Sequence, residues 1–124
     1  MTEGRKSQGY KDLVVWQKSI LLVKEIFILT GKFPKSELYG LVSQLRRAAV
    51  SIPSNIAEWS GRISLLERKR FYSIAYGSGL EVETQIIIAK EIGFAKREEF
   101  VTIDMLLNDI LRMLYTMTAR KLSD

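Results

Sequence analysis

The 124-residue chain predicts an all-α fold, an antiparallel up-down-up-down four-helix bundle whose second helix is kinked at Pro53. Three observations carry that expectation. Leu, Ile, Lys, Arg and Glu dominate the composition, and two prolines with eight glycines leave little turn chemistry for a β fold. Apolar residues recur at helical spacing in four segments. The joints between those segments are short, which favours antiparallel neighbours. One domain over 1–124 is expected, with 1–11 as a flexible N-terminal segment.

The first helix is predicted from Leu13 to Thr30, with Asp12 as N-cap and Gly31 as terminator. Twelve of the seventeen residues from Leu13 to Leu29 are apolar. Lys18, Lys24 and Glu25 interrupt the run, so it is no membrane span. Gln17, Lys18, Lys24 and Glu25 share a stripe about 120° wide, which leaves roughly two thirds of the circumference apolar. One partner face needs less than that. The surplus implies a second contact, most simply another copy of the chain.

"GKFPKSE" makes a turn, with Ser36 as a cap for a second helix over 37–60. Leu41, Leu45, Ala48, Ile52, Ile56 and Trp59 form one apolar stripe running straight through Pro53. A neighbouring polar stripe holds Gln44, Arg47, Ser51, Asn55 and Glu58, and would reach Arg62 if the helix did. Both stripes keep register across the proline. "SIPSNIAEWSGR" (51–62) therefore reads as a kinked helix stopping at Gly61, with the Ala49 carbonyl freed of its usual partner. On this register Trp59 is expected to be largely buried. An antiparallel partner would bring Arg47 within a turn or so of Glu81, and Asn55 near Arg70 and Phe71. The polar stripe, with Glu81, is then a structural network or solvated face, or else the lining of a cleft or pore that meets a ligand.

The third helix opens at Ser64, with Glu67 three positions on in a capping-box pattern, and stops at Gly93. Gly77, Ser78 and Gly79 lie in its middle, where each glycine costs about 1 kcal/mol relative to alanine. Such positions are usually retained for close backbone approach. Consecutive Ile86, Ile87 and Ile88 point again to more than one buried face. The fourth helix is predicted over 97–121, with Phe100, Ile103, Leu107, Ile110, Leu111, Leu114 and Met117 on one side.

The chain has no cysteine and no histidine. That removes disulfides, thiolate nucleophiles, imidazole bases and the usual zinc ligands together. A cytoplasmic location is expected, because "MTEGRKSQGY" holds no apolar core of signal-peptide length. Glu81 and Glu83, two apart on a helix, diverge by about 160° and make no acid–base pair. No Walker-type loop, dinucleotide fingerprint or nucleophile elbow occurs. No catalytic residue, metal site or cofactor is expected, and the chain reads as a non-enzyme.

Net charge is +5. The basic excess gathers in 61–70, where Arg62, Arg68, Lys69 and Arg70 face Glu67 alone. Lys32 and Lys35 form a second small cluster. These six residues are the candidate contacts for phosphates of RNA or DNA, in a sequence-tolerant, electrostatic mode. The other reading of the apolar excess is an oligomeric adaptor for a protein partner.

The runs "DLVVWQKS" (12–19), "YGLVSQLRRAAVSIPSNIAE" (39–58), "GR" (61–62) and "FYSIAYGSGLEVETQI" (71–86) resemble the 23S rRNA intervening-sequence proteins. These are small bacterial four-helix bundles, encoded within intervening sequences of large-subunit ribosomal RNA genes and in other contexts. They resemble in turn the accessory proteins of diversity-generating retroelements, pentameric barrels that bind nucleic acid and a reverse transcriptase. The resemblance implies a homo-oligomer, a pentamer, with nucleic acid or a reverse transcriptase as partner. Trp59 stands where the family pattern has glycine after "NIAE", and Gly79 where it has leucine.

Overall fold

The computed structural model describes residues 9–123. Among the described residues the regular structure is helical throughout, and four long helices carry it. They are α1 (Val14–Thr30), α2 (Ser43–Ser60), α3 (Leu65–Ile92) and α4 (Val101–Ser123).

Helix α2 continues through Pro53 to Ser60 and ends at Gly61. Ser64 caps α3, its hydroxyl accepting from the Glu67 amide at 3.3 Å. Gly93 ends α3 in the left-handed region, at φ 82°, where a side chain would be strained.

The helix starts differ from expectation at three places. Asp12 closes a 3₁₀ turn (Gly9–Asp12), and extended Leu13 takes the N-cap position of α1. Residues 9–11, expected to be flexible, belong to that turn, where Tyr10 meets Trp16 edge-on at 5.4 Å. The rest of that segment, 1–8, lies outside the described residues. Ser36 sits inside a second 3₁₀ turn, Lys35–Glu37, and makes no cap bond. A wide π-type turn over Leu38–Val42 follows, with Gly40 at φ −111° and ψ −111°, so α2 starts at Ser43 rather than at residue 37. Arg97–Phe100 is likewise 3₁₀, which delays α4 to Val101. In each case the apolar pattern marks where a segment turns helical but not which helical form its first turn takes.

The widest interface joins α2 to α3; α1 packs on α2 and α4, and α4 packs on α3. Helices α1 and α3 therefore face each other across the ring. Leu22 and Ile26 from α1, Leu45, Ile52 and Ile56 from α2, Tyr72, Val82 and Ile86 from α3, and Ile103, Ile110 and Leu114 from α4 fill the core. Each such side chain contributes about 1.5–3 kcal/mol on burial. Pro53 is buried among them and brings no backbone N–H that would need a partner there. Residues joined across α2 and α3 descend on one helix as they rise on the other: Gln44 with Gln85, Ser51 with Ser78, Trp59 with Tyr72.

Three ion pairs tie the rim: Lys18–Asp109, Lys32–Glu99 at 2.7 Å and Lys90–Asp104 at 2.7 Å. Hydrogen bonding from Lys18 holds the Asp109 carboxyl below its usual range, and Lys32 does the same for Glu99.

The two mid-helix glycines differ in kind. A Cβ on Gly79 would stand 2.7 Å from Leu111 Cδ2, so close approach of α4 occupies that space. A Cβ on Gly77 meets nothing within 4 Å. Within one chain, Gly77 therefore costs helix propensity without a packing return. Replacing it with alanine is expected to stabilise the isolated chain by about 0.4–1 kcal/mol. Gly79→Leu is expected to destabilise it by about 1–3 kcal/mol through overpacking. Urea unfolding midpoints at dilutions where the chain is monomeric check both; a loss of stability in Gly77→Ala there would contradict the open position.

Candidate functional site

The junction between α2 and α3 gathers most of the basic candidates. Trp59, in the last turn of α2, packs its indole against Tyr72 with ring centroids 4.7 Å apart. Arg68 lies over Trp59, its guanidinium carbon 5.4 Å from the ring centroid. Its Nε donates to the Arg62 carbonyl at 2.8 Å, which ties the first turn of α3 back across the junction. Arg62 lies over Phe71 at 5.0 Å and donates to Glu58 Oε1 at 2.5 Å. Cation–π contact with the ring faces positions both guanidinium groups while leaving nitrogens able to meet an acceptor.

Trp59 packs against the core at the end of the bundle with its Nε1 buried, as its place on the apolar stripe predicts. Two donors in this cluster, Trp59 Nε1 and Arg62 Nε, are buried without an acceptor among the described residues. Tyr72 is fully buried, and its hydroxyl donates to Met117 Sδ at 3.3 Å. Burial pushes its phenol up to about 12, against a smaller opposing pull from Arg68.

Lys69 is half-buried and Arg70 exposed, and neither forms an ion pair among the described residues. Arg68, Lys69 and Arg70 are consecutive and step by about 100° each, so they fan around α3 and share no single face. Lys32 and Lys35 do not extend this surface. They precede α2 whereas Arg62 follows it, and 18 helical residues separate the two places by about 27 Å. Lys32 is also paired with Glu99, beside the Phe33–Phe94 contact at the far end of the molecule. The linear spacing that grouped six cations could not show that a whole helix length divides them.

The polar stripe lies on the α2–α3 seam. Gln44, Arg47 and Ser51 of α2 line an open cleft of about 340 Å³ with Ser78 and Glu81 of α3. Arg47 and Glu81 thus share one cleft, as the pairing about Gly61 requires. Ser51 and Ser78 hydroxyls lie 2.7 Å apart. Asn55 donates to the Ser51 carbonyl at 2.8 Å and its hydroxyl at 2.9 Å, so it turns along its own helix. Glu58 meets Arg62 four residues on, so the last polar contact of the stripe is made just past the end of α2.

Two seam residues escaped the sequence reading. Ser78 stood out only as part of a glycine-rich interruption. Gln85, one turn beyond Glu81, is 7% exposed and donates from Nε2 to Gln44 Oε1 at 3.3 Å and Glu81 Oε2 at 3.5 Å. Its i+4 spacing from Glu81 was the available signal. Among the described residues no three His, Cys, Asp or Glu side chains gather as a metal site, and no helix is long and apolar enough to cross a membrane.

The family model for the 23S rRNA-intervening sequence protein matches residues 11–116, which covers α1 to α3 and most of α4. The chain belongs to the 23S rRNA-intervening sequence protein family. No match is found among curated proteins. In this member of the family the aromatic-stacked arginines and the seam both fall inside the matched region. Trp59 supplies the platform under Arg68.

The raised phenol gives a direct check on the junction. With a folded value above the ordinary 10, Tyr72 favours the folded state below pH 10, and that contribution is lost as pH rises toward 12. Phenolate absorbance is expected to show one of the five tyrosines ionising late, near pH 12 or on unfolding. Tyr72→Phe is expected to remove that late phase; a Tyr72→Phe titration that keeps it would contradict the burial.

Proposed function

We propose that the chain is a non-enzymatic, cytoplasmic, homo-oligomeric four-helix bundle that binds RNA or DNA through a repeated basic surface with little sequence preference. Its helices run up-down-up-down with α2 kinked at Pro53, a reading supported by the descending α2–α3 pairings and by the donor missing at Pro53. The observation that carries the nucleic-acid reading is the pair Arg62 and Arg68, each stacked on an aromatic ring beside Lys69 and Arg70. Phosphates are the acceptors that such guanidinium edges fit best. Lys32 and Lys35 form a separate, weaker contact if they take part.

Self-association is supported by apolar side chains that the single chain leaves uncovered. On α1, Val14, Leu21 and Ile28 recur every seven residues and are each about half exposed, with Ile20 and Phe27 beside them. On α3, Ile74, Leu80, Ile87 and Ile88 are likewise open. Because α1 and α3 lie across the ring, the α1 face of one copy meets the α3 face of the next. Two different faces on opposite sides give a head-to-tail interface, and a head-to-tail interface that closes gives a ring. Five copies is the number the family resemblance implies. A ring repeats weak phosphate contacts and turns them into useful avidity.

A second reading, an adaptor for a protein partner such as a reverse transcriptase, is favoured by the apolar groove of about 360 Å³ between α1 and α4. Leu13, Val14, Met113 and Met117 line it. Capture of a partner that survives nuclease treatment would select this reading.

Binding of a single-stranded RNA oligomer at physiological salt tests the first reading. Arg62→Glu with Arg68→Glu is expected to weaken it by tenfold or more, since each lost phosphate contact also lowers the salt slope, by about 0.7. Lys32→Glu with Lys35→Glu is expected to cost far less. No binding even at low salt would defeat the proposal.

A further inference from the structure

Arg62 has two partners and one nitrogen without any. Its guanidinium lies over Phe71, Glu58 takes one terminal nitrogen, and its Nε is buried with no acceptor among the described residues. Arg68 commits its Nε to the Arg62 carbonyl and, among the described residues, enters no ion pair. Trp59 is already in contact with Tyr72 and with Arg68, so a nucleobase stacking where the guanidinium lies would have to displace it. The aromatic rings here orient cations and offer no platform to a base. That leaves an ionic site, whose fitting occupant is an oxyanion.

One oxyanion is already present. Glu58 lies one turn before Arg62, and the two meet as an i,i+4 pair with side chains 53% and 42% exposed, respectively. Pairs of this kind are weak in water and are readily exchanged for another anion. We propose that Arg62 and Arg68 form a phosphate subsite in which the Glu58 carboxylate is a built-in competitor, displaced when the nucleic-acid backbone binds. The proposal rests on the nucleic-acid reading above and adds to it the ligand group and the device that tempers its affinity. A phosphodiester carries the same single charge as the carboxylate, but it arrives linked to further phosphates that reach Lys69, one step around α3 from Arg68. The exchange therefore gains with strand length.

Removing the competitor should tighten binding, and a matched control separates this from a plain change of net charge. Glu67 is exposed on the first turn of α3; its backbone amide, not its carboxylate, meets the Ser64 cap. Glu58→Gln and Glu67→Gln each remove one negative charge from the same junction. Filter binding of a single-stranded RNA oligomer to the full chain is the measurement. Glu58→Gln is expected to bind about two- to threefold more tightly than Glu67→Gln per site, the exchange value of one exposed pair. In an Arg62→Gln background the two substitutions should act alike. Equal effects of Glu58→Gln and Glu67→Gln on the native background would overturn the competitor while leaving RNA binding in place. Weaker binding by Glu58→Gln would also overturn it, because Glu58 would then be a positioning residue for Arg62. Absence of RNA binding by native chain and both variants would overturn the subsite together with the nucleic-acid reading. Thermal melting of each variant confirms that the compared chains are folded.

Discussion

Ile52 and Ile56 are fully buried on either side of Pro53, and Ile52 reaches toward the bare backbone of Gly79 on α3. This seam between α2 and α3 is the constraint the rest of the molecule follows. A proline in mid-helix removes one backbone bond, which costs about 3 kcal/mol in a helix interior. The loss is tolerated because the apolar stripe keeps its register through the proline and buries side chains above and below it. The same register sends Gln44, Arg47 and Ser51 to the adjacent edge of the seam, where they meet Ser78, Glu81 and Gln85. It also ends α2 with Trp59 over Tyr72, which sets the platform for Arg68.

The seam uses one side of α3 and leaves the opposite side with isoleucines and leucines in water. Helix α1 has the same surplus, and the two lie across the ring from each other. Gly77 belongs to this picture: it is exposed, has open space where a Cβ would go, and lies between Ile74 and Leu80 on the uncovered part of α3. A glycine there has a packing reason only if another chain approaches. The basic junction, by contrast, lies at the end of the bundle and stays free when the sides are covered. The proposed association through the sides and the proposed binding at the ends are compatible in one assembly.

Much of this architecture was legible in the order of residues. Two stripes in phase across Pro53 were enough to read 51–60 as helix, because helical periodicity survives a single lost bond. Ser64 with Glu67, Gly61 and Gly93 marked ends by capping chemistry that acts locally. Helix starts after Asp12 and Ser36 were misplaced, since the choice between 3₁₀, π and α turns depends on packing from elsewhere in the chain. For the site, Arg62 and Arg68 were visible as charge but not as stacked pairs, because Trp59 and Phe71 come to them only through the fold. Grouping Lys32 and Lys35 with them failed for a related reason: charge counts carry no information on which end of a bundle a residue occupies.

The central claim is that uncovered faces on α1 and α3 join copies head to tail, making the platform on which the basic ends repeat. Light scattering of native chain, Leu21→Glu, Ile87→Glu and an equal mixture of the two variants tests it most directly. The account predicts an oligomer for the native chain at micromolar concentration, monomers for each variant alone, and a dimer for the mixture, in which one intact α1 face meets one intact α3 face. A native chain that scatters as a monomer, or variants that assemble as the native chain does, would contradict it.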